Sequence, residues 1–194
     1  MDDQALWQLL RTGSEEAYSV LAQRYYAKLV HYGQKFTPNR QLVEDALQDL
    51  LIRLWLGRQR LSDTPSVKFY LLKAFRHQLF KTLNKSLRHS EVEEADMAEL
   101  MVFSVEDQYI ELESDLRFTS ELTERLTHLP TRQREVIYLR FFQGLTIEEI
   151  ADLLVIQTQS VSNLLQRALT NLRSSWFITT PVILALAYRL IPLL

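Results

Sequence analysis

Thr158, Gln159, Ser160, Ser162, Asn163, Gln166 and Arg167 fall on one side of the segment 158–172, and Val161, Leu164, Leu165, Ala168 and Leu172 fall on the other at helical spacing. Amides and a guanidinium suit paired hydrogen bonds to base edges, and hydroxyls suit phosphates or either base. An ordinary amphipathic helix with a neutral polar face would look the same, so this segment alone leaves both readings open. A second set lies in 66–85, SVKFYLLKAFRHQLFKTLNK, where Lys73, His77, Lys81 and Lys85 recur every four residues and Lys68 and Arg76 add charge. Phe69, Leu72, Leu79 and Leu83 are expected on the buried side, with Tyr70, Phe75 and Phe80 at the margins. Charge for phosphates and ring faces for unstacked bases are what single-stranded or melting DNA requires. A solvated basic face competes with that reading for each lysine taken singly. The third set is Asp45, Gln48 and Asp49, spaced to share one helical face. Taken alone, they read as the solvated acidic side of a core helix.

None of these sets has the form of an enzyme centre. The four histidines are scattered, at 31, 77, 89 and 128, without the spacing of a metal-binding helix. There is no Gly-rich phosphate loop and no G-x-S-x-G elbow. Asp45 and Asp49 lack a third ligand at matching spacing. No cofactor is expected, and zero cysteines exclude disulfides and thiolate metal sites.

The elements that must carry these residues are helical. Residues 129–173 parse into three short helices with a tight turn before the last, a helix-turn-helix that places its last helix in the DNA major groove. Pro130 stands where a helix can begin, and Gly144 where one stops. Thr146 and Glu149 form a T-x-x-E capping box that starts the next helix at Ile147, with Ile147, Ile150, Ala151 and Leu154 as its buried face. The stretch LPTRQREVIYLRFFQGLTIEEIADLL with SVSNLLQRAL resembles the fourth domain of bacterial RNA polymerase sigma factors of the extracytoplasmic-function type. The matching residues are Leu129, Pro130, Arg134, Glu135, Val136, Gly144, Leu145, Thr146, Glu149, Ile150, Ala151, Arg167 and Ala168. The family usually has Gly where Val155 stands and Ser where Gln157 stands. A β-branched residue disfavours the left-handed conformation of such a Gly, so Thr158 is expected to take over the cap. Response regulators share a similar helix-turn-helix.

The N-terminal half narrows the resemblance. LVEDALQDLLIRLW, 42–55, resembles the sigma segment that docks on the clamp helices of RNA polymerase, which assigns Asp45, Gln48 and Asp49 to polymerase binding. Leu47, Leu50, Leu51, Leu54 and Trp55 supply adjacent apolar surface. Ahead of it, two helices are expected. Leu6, Leu9 and Leu10 mark the first, Gly13 and Ser14 the break, and Ala17, Tyr18, Leu21, Tyr25, Leu29 and Tyr32 the stripe of the second. The resemblance makes 66–85 the helix at which the minus-ten promoter element opens. It makes GRQRLSDTPS, 57–66, the base-capturing loop, in which no base-reading residue is identifiable.

The net charge of -2 is unusual for a DNA binder, but its distribution is not. Residues 1–85 carry 13 Lys/Arg against 8 Asp/Glu, residues 116–194 carry 8 against 6, and residues 86–115 carry 1 against 10. The expected fold is all-α: two small helical domains, 1–88 and 119–174, joined by an acidic linker, 89–118. The linker reads as a solvated tether or, by the resemblance, as a nucleic-acid mimic in the polymerase cleft. A hydrophobic tail, 175–194, follows. Its last 19 residues, WFITTPVILALAYRLIPLL, approach a membrane-spanning length but hold Pro181, Arg189 and Pro192. Packing on the protein or a partner ranks ahead of membrane attachment, and a disordered tail ranks last. No signal peptide is expected after Met1-Asp2-Asp3, so a cytoplasmic location is implied. The expected function is transcription initiation, with core RNA polymerase and promoter DNA as partners and room for an anti-sigma factor that the residues do not specify. The competing function is a DNA-binding regulator whose N-terminal helices dimerise or sense a ligand.

Overall fold

The computed structural model describes residues 1–87 and 124–174. The acidic linker and the hydrophobic tail lie outside them, with the expectations placed on each. The chain divides into two compact units, Met1–Ser104 and Val105–Leu194. The described residues of both are helical, without a strand.

The described residues of the first unit form four helices, each opened by a local cap. Asp2 accepts from the Ala5 amide at 2.8 Å and starts α1, Asp3–Arg11. The chain then reverses at Gly13, whose φ of +100° is open to glycine. Ser14 accepts from the Ala17 amide at 3.2 Å and starts α2, Glu15–Gln34. Asn39 caps α3, Arg40–Leu56, through the Leu42 amide at 3.1 Å. After a 3-10 turn, Arg58–Arg60, the Ser66 hydroxyl accepts from Phe69 N–H at 3.1 Å in the first turn of α4, Val67–Leu87.

Leu10, Leu21, Leu29, Val43, Leu47, Leu50, Leu54, Leu72, Phe75 and Leu79 form a continuous core. Helices α2, α3 and α4 meet closely at Gly33. A Cβ there would lie 2.5 Å from Val43 Cγ1 and 3.0 Å from Phe75 Cζ, so the packing requires glycine. Asp3 ties α1 to α2, pairing with Arg24 at 2.5 Å and accepting from the Tyr25 hydroxyl. Burial, then the Asp3 carboxylate, pushes the Tyr25 pKa far up. One expectation for α1 is corrected. Leu9 is 40% exposed, and the inward position belongs to Trp7, which is fully buried. The indole needs a polar partner at its N–H, and it finds the Ser62 carbonyl at 3.1 Å.

In the second unit a helical turn at 124–127 precedes α5, Thr131–Ile137, which starts after Pro130 (φ -54°). The chain continues as a π turn, Tyr138–Phe142, closed by Gln143 N–H to the Tyr138 carbonyl at 3.0 Å. Gly144, φ +65°, then turns it into α6, Ile147–Leu154. The capping box is present in full. Glu149 N–H donates to Thr146 Oγ1 at 3.1 Å, and Thr146 N–H donates to Glu149 Oε2 at 2.8 Å. The turn to α7, Thr158–Ser174, passes through Val155 at φ 55°, ψ 46°. The left-handed position usually held by glycine is therefore kept, with valine in it. Ile156 N–H closes the turn on the Ala151 carbonyl at 3.0 Å. Thr158 does not take the cap. It is the first helical residue, and the preceding Gln157 carbonyl accepts from Ser160 and Val161. Leu126, Val136, Leu139, Leu145, Ile150, Leu154, Val161 and Ala168 are buried together between α5, α6 and α7.

Candidate nucleic-acid and polymerase interfaces

The inward residues of α7 that anchor it are Val161, Leu165 and Ala168, while Leu164 and Leu172 are half-buried. That packing turns Thr158, Gln159, Ser160, Asn163, Gln166 and Arg167 to solvent, with Ser162 half-buried. Gln159 Nε2 donates to Asn163 Oδ1 at 3.1 Å, which holds two amides side by side one turn apart. The Ser162 hydroxyl is returned to the Thr158 carbonyl at 3.2 Å, which leaves its oxygen free to accept. Sequence reasoning missed the flank of this surface. Gln133 on α5 and Thr170 and Asn171 on α7 join Asn163, Gln166 and Arg167 in lining a polar hollow of about 480 Å³. Asn171 Nδ2 bridges to Gln133 Oε1 at 3.0 Å across it. Only the packing of α5 on α7 reveals this neighbourhood, since 38 residues separate the pair. Close by in sequence, Arg134 is half-buried, with one weak bond from Nη2 to Thr131 Oγ1 at 3.4 Å, and burial lowers its pKa.

On α4, Lys73, His77, Lys81 and Lys85 are all exposed and Lys68 is half-buried, so the four-residue repeat does emerge as a cationic strip. Arg76 is corrected. It is only 2% exposed, donates from Nη1 to the Tyr32 hydroxyl at 2.8 Å, and lies over the Phe80 and Phe36 rings at 4.4 and 5.4 Å. It belongs to the core because two rings and a phenol replace the water its guanidinium gives up. Phe75 and Phe80, expected at the margins, are buried, while Phe69 is only half-buried. Of the three aromatics, Tyr70 alone stays near the surface, half-buried, edge-on to Trp7 at 4.8 Å.

On α3, Asp45, Gln48 and Asp49 are exposed together. The same face continues into Ile52, 55% exposed, and Leu56, 74% exposed. The stripe thus runs from acidic to apolar along 45, 49, 52 and 56. Asp45 accepts from Gln41 Nε2 at 2.8 Å, and Asp49 accepts from Gln78 Nε2 of α4 at 3.0 Å. Beside the stripe, Trp55 is half-buried, with the Arg58 guanidinium 4.0 Å from its ring and Tyr18 at 5.2 Å.

Among the described residues no cluster of metal-binding side chains occurs. One unit presents a stripe running from acidic to apolar and a helix lined with lysines, and the other a helix-turn-helix. The comparisons identify the family. Residues 21–88 match the family described as Sigma-70 region 2, and residues 119–172 match Sigma-70, region 4. The RNA polymerase sigma factor YlaC of Bacillus subtilis (strain 168) is 22% identical over 157 residues, covering 80% of this chain and 89% of its own. Among solved structures, CnrH in complex with the cytosolic domain of CnrY superposes with a TM-score of 0.57 at 18% identity, covering 89% of this chain and 95% of its own. The sigma factor RpoE of Bartonella quintana, crystallised with the anti-sigma factor NepR, gives 0.56 at 18%, covering 81% and 94%. The chain belongs to the sigma-70 family of RNA polymerase sigma factors, as one of the extracytoplasmic-function type. It is a transcription initiation factor and not an enzyme, and its partners are core RNA polymerase and promoter DNA.

Proposed function

We propose a division of labour among the three surfaces. The α3 stripe of Asp45, Gln48 and Asp49 docks on core polymerase. The α4 strip of Lys68, Lys73, His77, Lys81 and Lys85 holds the opened minus-ten element. The outward side of α7, from Thr158 to Arg167, reads the minus-thirty-five element. The functional domains on this reading are 1–88 and 119–174, acting in the cytoplasm. One observation carries it: each polar set picked out by spacing stands on the outward side of a helix whose opposite side is core, with Lys68 and Ser162 half-buried and Arg76 in the core. The two solved complexes name a CnrH bound to CnrY and an RpoE bound to an anti-sigma factor, and they motivate an anti-sigma protein as a third partner here. Among the described residues no helix is long and apolar enough to cross a membrane.

The docking face is tested most cleanly at Asp45. Replacing Asp49 would also take from the buried Gln78 its 3.0 Å acceptor and leave its amide a 3.5 Å contact with Thr82 Oγ1, whereas the Asp45 carboxylate holds only an exposed Gln41. Asp45→Lys should change stability by no more than about 0.5 kcal/mol. It should abolish co-purification with core polymerase and, with it, promoter-dependent transcript. A folded Asp45→Lys chain that still binds core removes this face from the interface.

A further inference from the structure

Helix α1 lies ahead of the region-two match, and the surfaces just described do not use it. Yet three of its side chains reach some 55 to 61 residues along the chain to the loop 61–66. Gln4 Nε2 donates to the carbonyls of Thr64 at 2.8 Å and Pro65 at 3.0 Å. Trp7 Nε1 donates to the Ser62 carbonyl at 3.1 Å. Gln8 Nε2 donates to Asp63 Oδ1 at 2.8 Å. Positions 4, 7 and 8 share one helical face, so a single side of α1 is turned to the loop.

The loop adds bonds of its own. The Thr64 amide also donates to Asp63 Oδ1, at 3.1 Å, and the Ser66 amide donates to Thr64 Oγ1 at 3.3 Å. Every residue from Ser62 to Ser66 is therefore held by at least one hydrogen bond. Leu61, Thr64 and Ser66 are half-buried and Ser62, Asp63 and Pro65 are exposed, so burial alone does not order this stretch. The bonds from α1, together with those within the loop, complete the ordering. Trp7 joins the two tasks, since its buried ring also meets Tyr70 in the first turn of α4 edge-on, at 61°.

We propose that α1 is a brace that presets the loop 61–66 for capture of a base from the opened minus-ten element, with Gln4, Trp7 and Gln8 as positioning residues. The proposal rests on the reading of α4 as the promoter-opening helix. A loop already in place meets the displaced base without an ordering cost at that moment, and it holds its discriminating groups in one arrangement. Asp63 is spent on the brace. One of its oxygens accepts from both Gln8 and the Thr64 amide, which assigns that side chain to shaping the loop.

The test uses the full chain as Gln4→Ala/Gln8→Ala and, separately, as Trp7→Phe, which keeps an aromatic ring in the buried site but removes the N–H together with the five-membered part of the indole. In the free protein, hydrogen exchange across 61–66 should quicken about tenfold, with α2 and α3 unchanged. In holoenzyme, discrimination between the preferred minus-ten element and its single-base variants should fall about tenfold, while affinity for core stays within about twofold. Unchanged exchange overturns the brace. Faster exchange with discrimination intact overturns its role in base capture. An equal loss of core binding in both variants reduces α1 to a general packing element. If the unsubstituted chain and core give no promoter-directed transcript, the promoter-opening reading falls, while the exchange result still judges the brace.

Discussion

Arg76 and Lys81 lie five residues apart on α4 and have opposite surroundings. The Lys81 ammonium stands in solvent, where it can replace counterions on a phosphate. The Arg76 guanidinium is enclosed by Tyr32, Phe36 and Phe80. Arg76→Ala should lower the stability of the first unit by about 3 kcal/mol, since it opens a cavity and leaves the Tyr32 hydroxyl without this donor. Lys81→Ala should change stability by no more than about 0.5 kcal/mol. It should weaken DNA binding by holoenzyme and reduce the salt slope by about 1. Chemical melts and salt titrations of both variants separate the roles. A stable Arg76→Ala chain that binds DNA poorly would return Arg76 to the strip. Helical spacing could not distinguish the two residues, because position 76 borders the face of 73, 77 and 81. What buries Arg76, besides Phe80 one turn along, is a hydroxyl from the last turn of α2 and a ring just beyond it, 44 and 40 residues away, and no local pattern encodes that meeting.

Helices whose ends are fixed by neighbouring residues were legible. The Thr146–Glu149 box, the Ser14 and Ser66 caps and the break at Gly13 all act within four residues, so spacing alone identifies them. The π turn at Tyr138–Phe142 was not, because nothing in YLRFF distinguishes an i→i−5 bond from an i→i−4 bond. The brace from α1 was not either, since its partners are loop carbonyls that carry no sequence signal. Val155 lies between these cases. Its conflict with a left-handed turn is plain in the sequence, and the structure resolves the conflict by strain, not by a different turn. Two packed helices, α6 and α7, over-determine the position, and the side chain, 73% exposed, has little packing to lose. Val155→Gly should therefore stabilise the second unit by about 1 kcal/mol, with relief of left-handed strain exceeding the extra freedom of glycine in the unfolded chain. The urea midpoint of that unit's unfolding measures it. No gain would mean that the turn accommodates valine without strain.

Across the whole molecule, a net charge of -2 hides two basic parts separated by an acidic one. Each folded unit has its own core, and on the proposed reading each carries its own DNA face, which would divide promoter recognition between two bodies. That arrangement makes a quantitative demand. Asn163→Ala should cost about 1–3 kcal/mol and relax specificity at one minus-thirty-five position, because an amide paired with Gln159 is suited to a base edge. Lys81→Ala should cost less and act on all sequences alike, because a lysine contacts phosphate as a point charge. Substitutions at distant sites with no shared partners add within about 0.5 kcal/mol. The double variant should therefore show the sum of the two losses in open-complex formation by holoenzyme on a duplex promoter. The cycle is completed by repeating it on a promoter altered at the base that Asn163 reads. There the Asn163→Ala penalty should vanish and the Lys81→Ala penalty should persist unchanged. A coupling energy well above that tolerance on the intact promoter would show that one unit's grip on DNA conditions the other's, and the two units would then have to be treated as one reader.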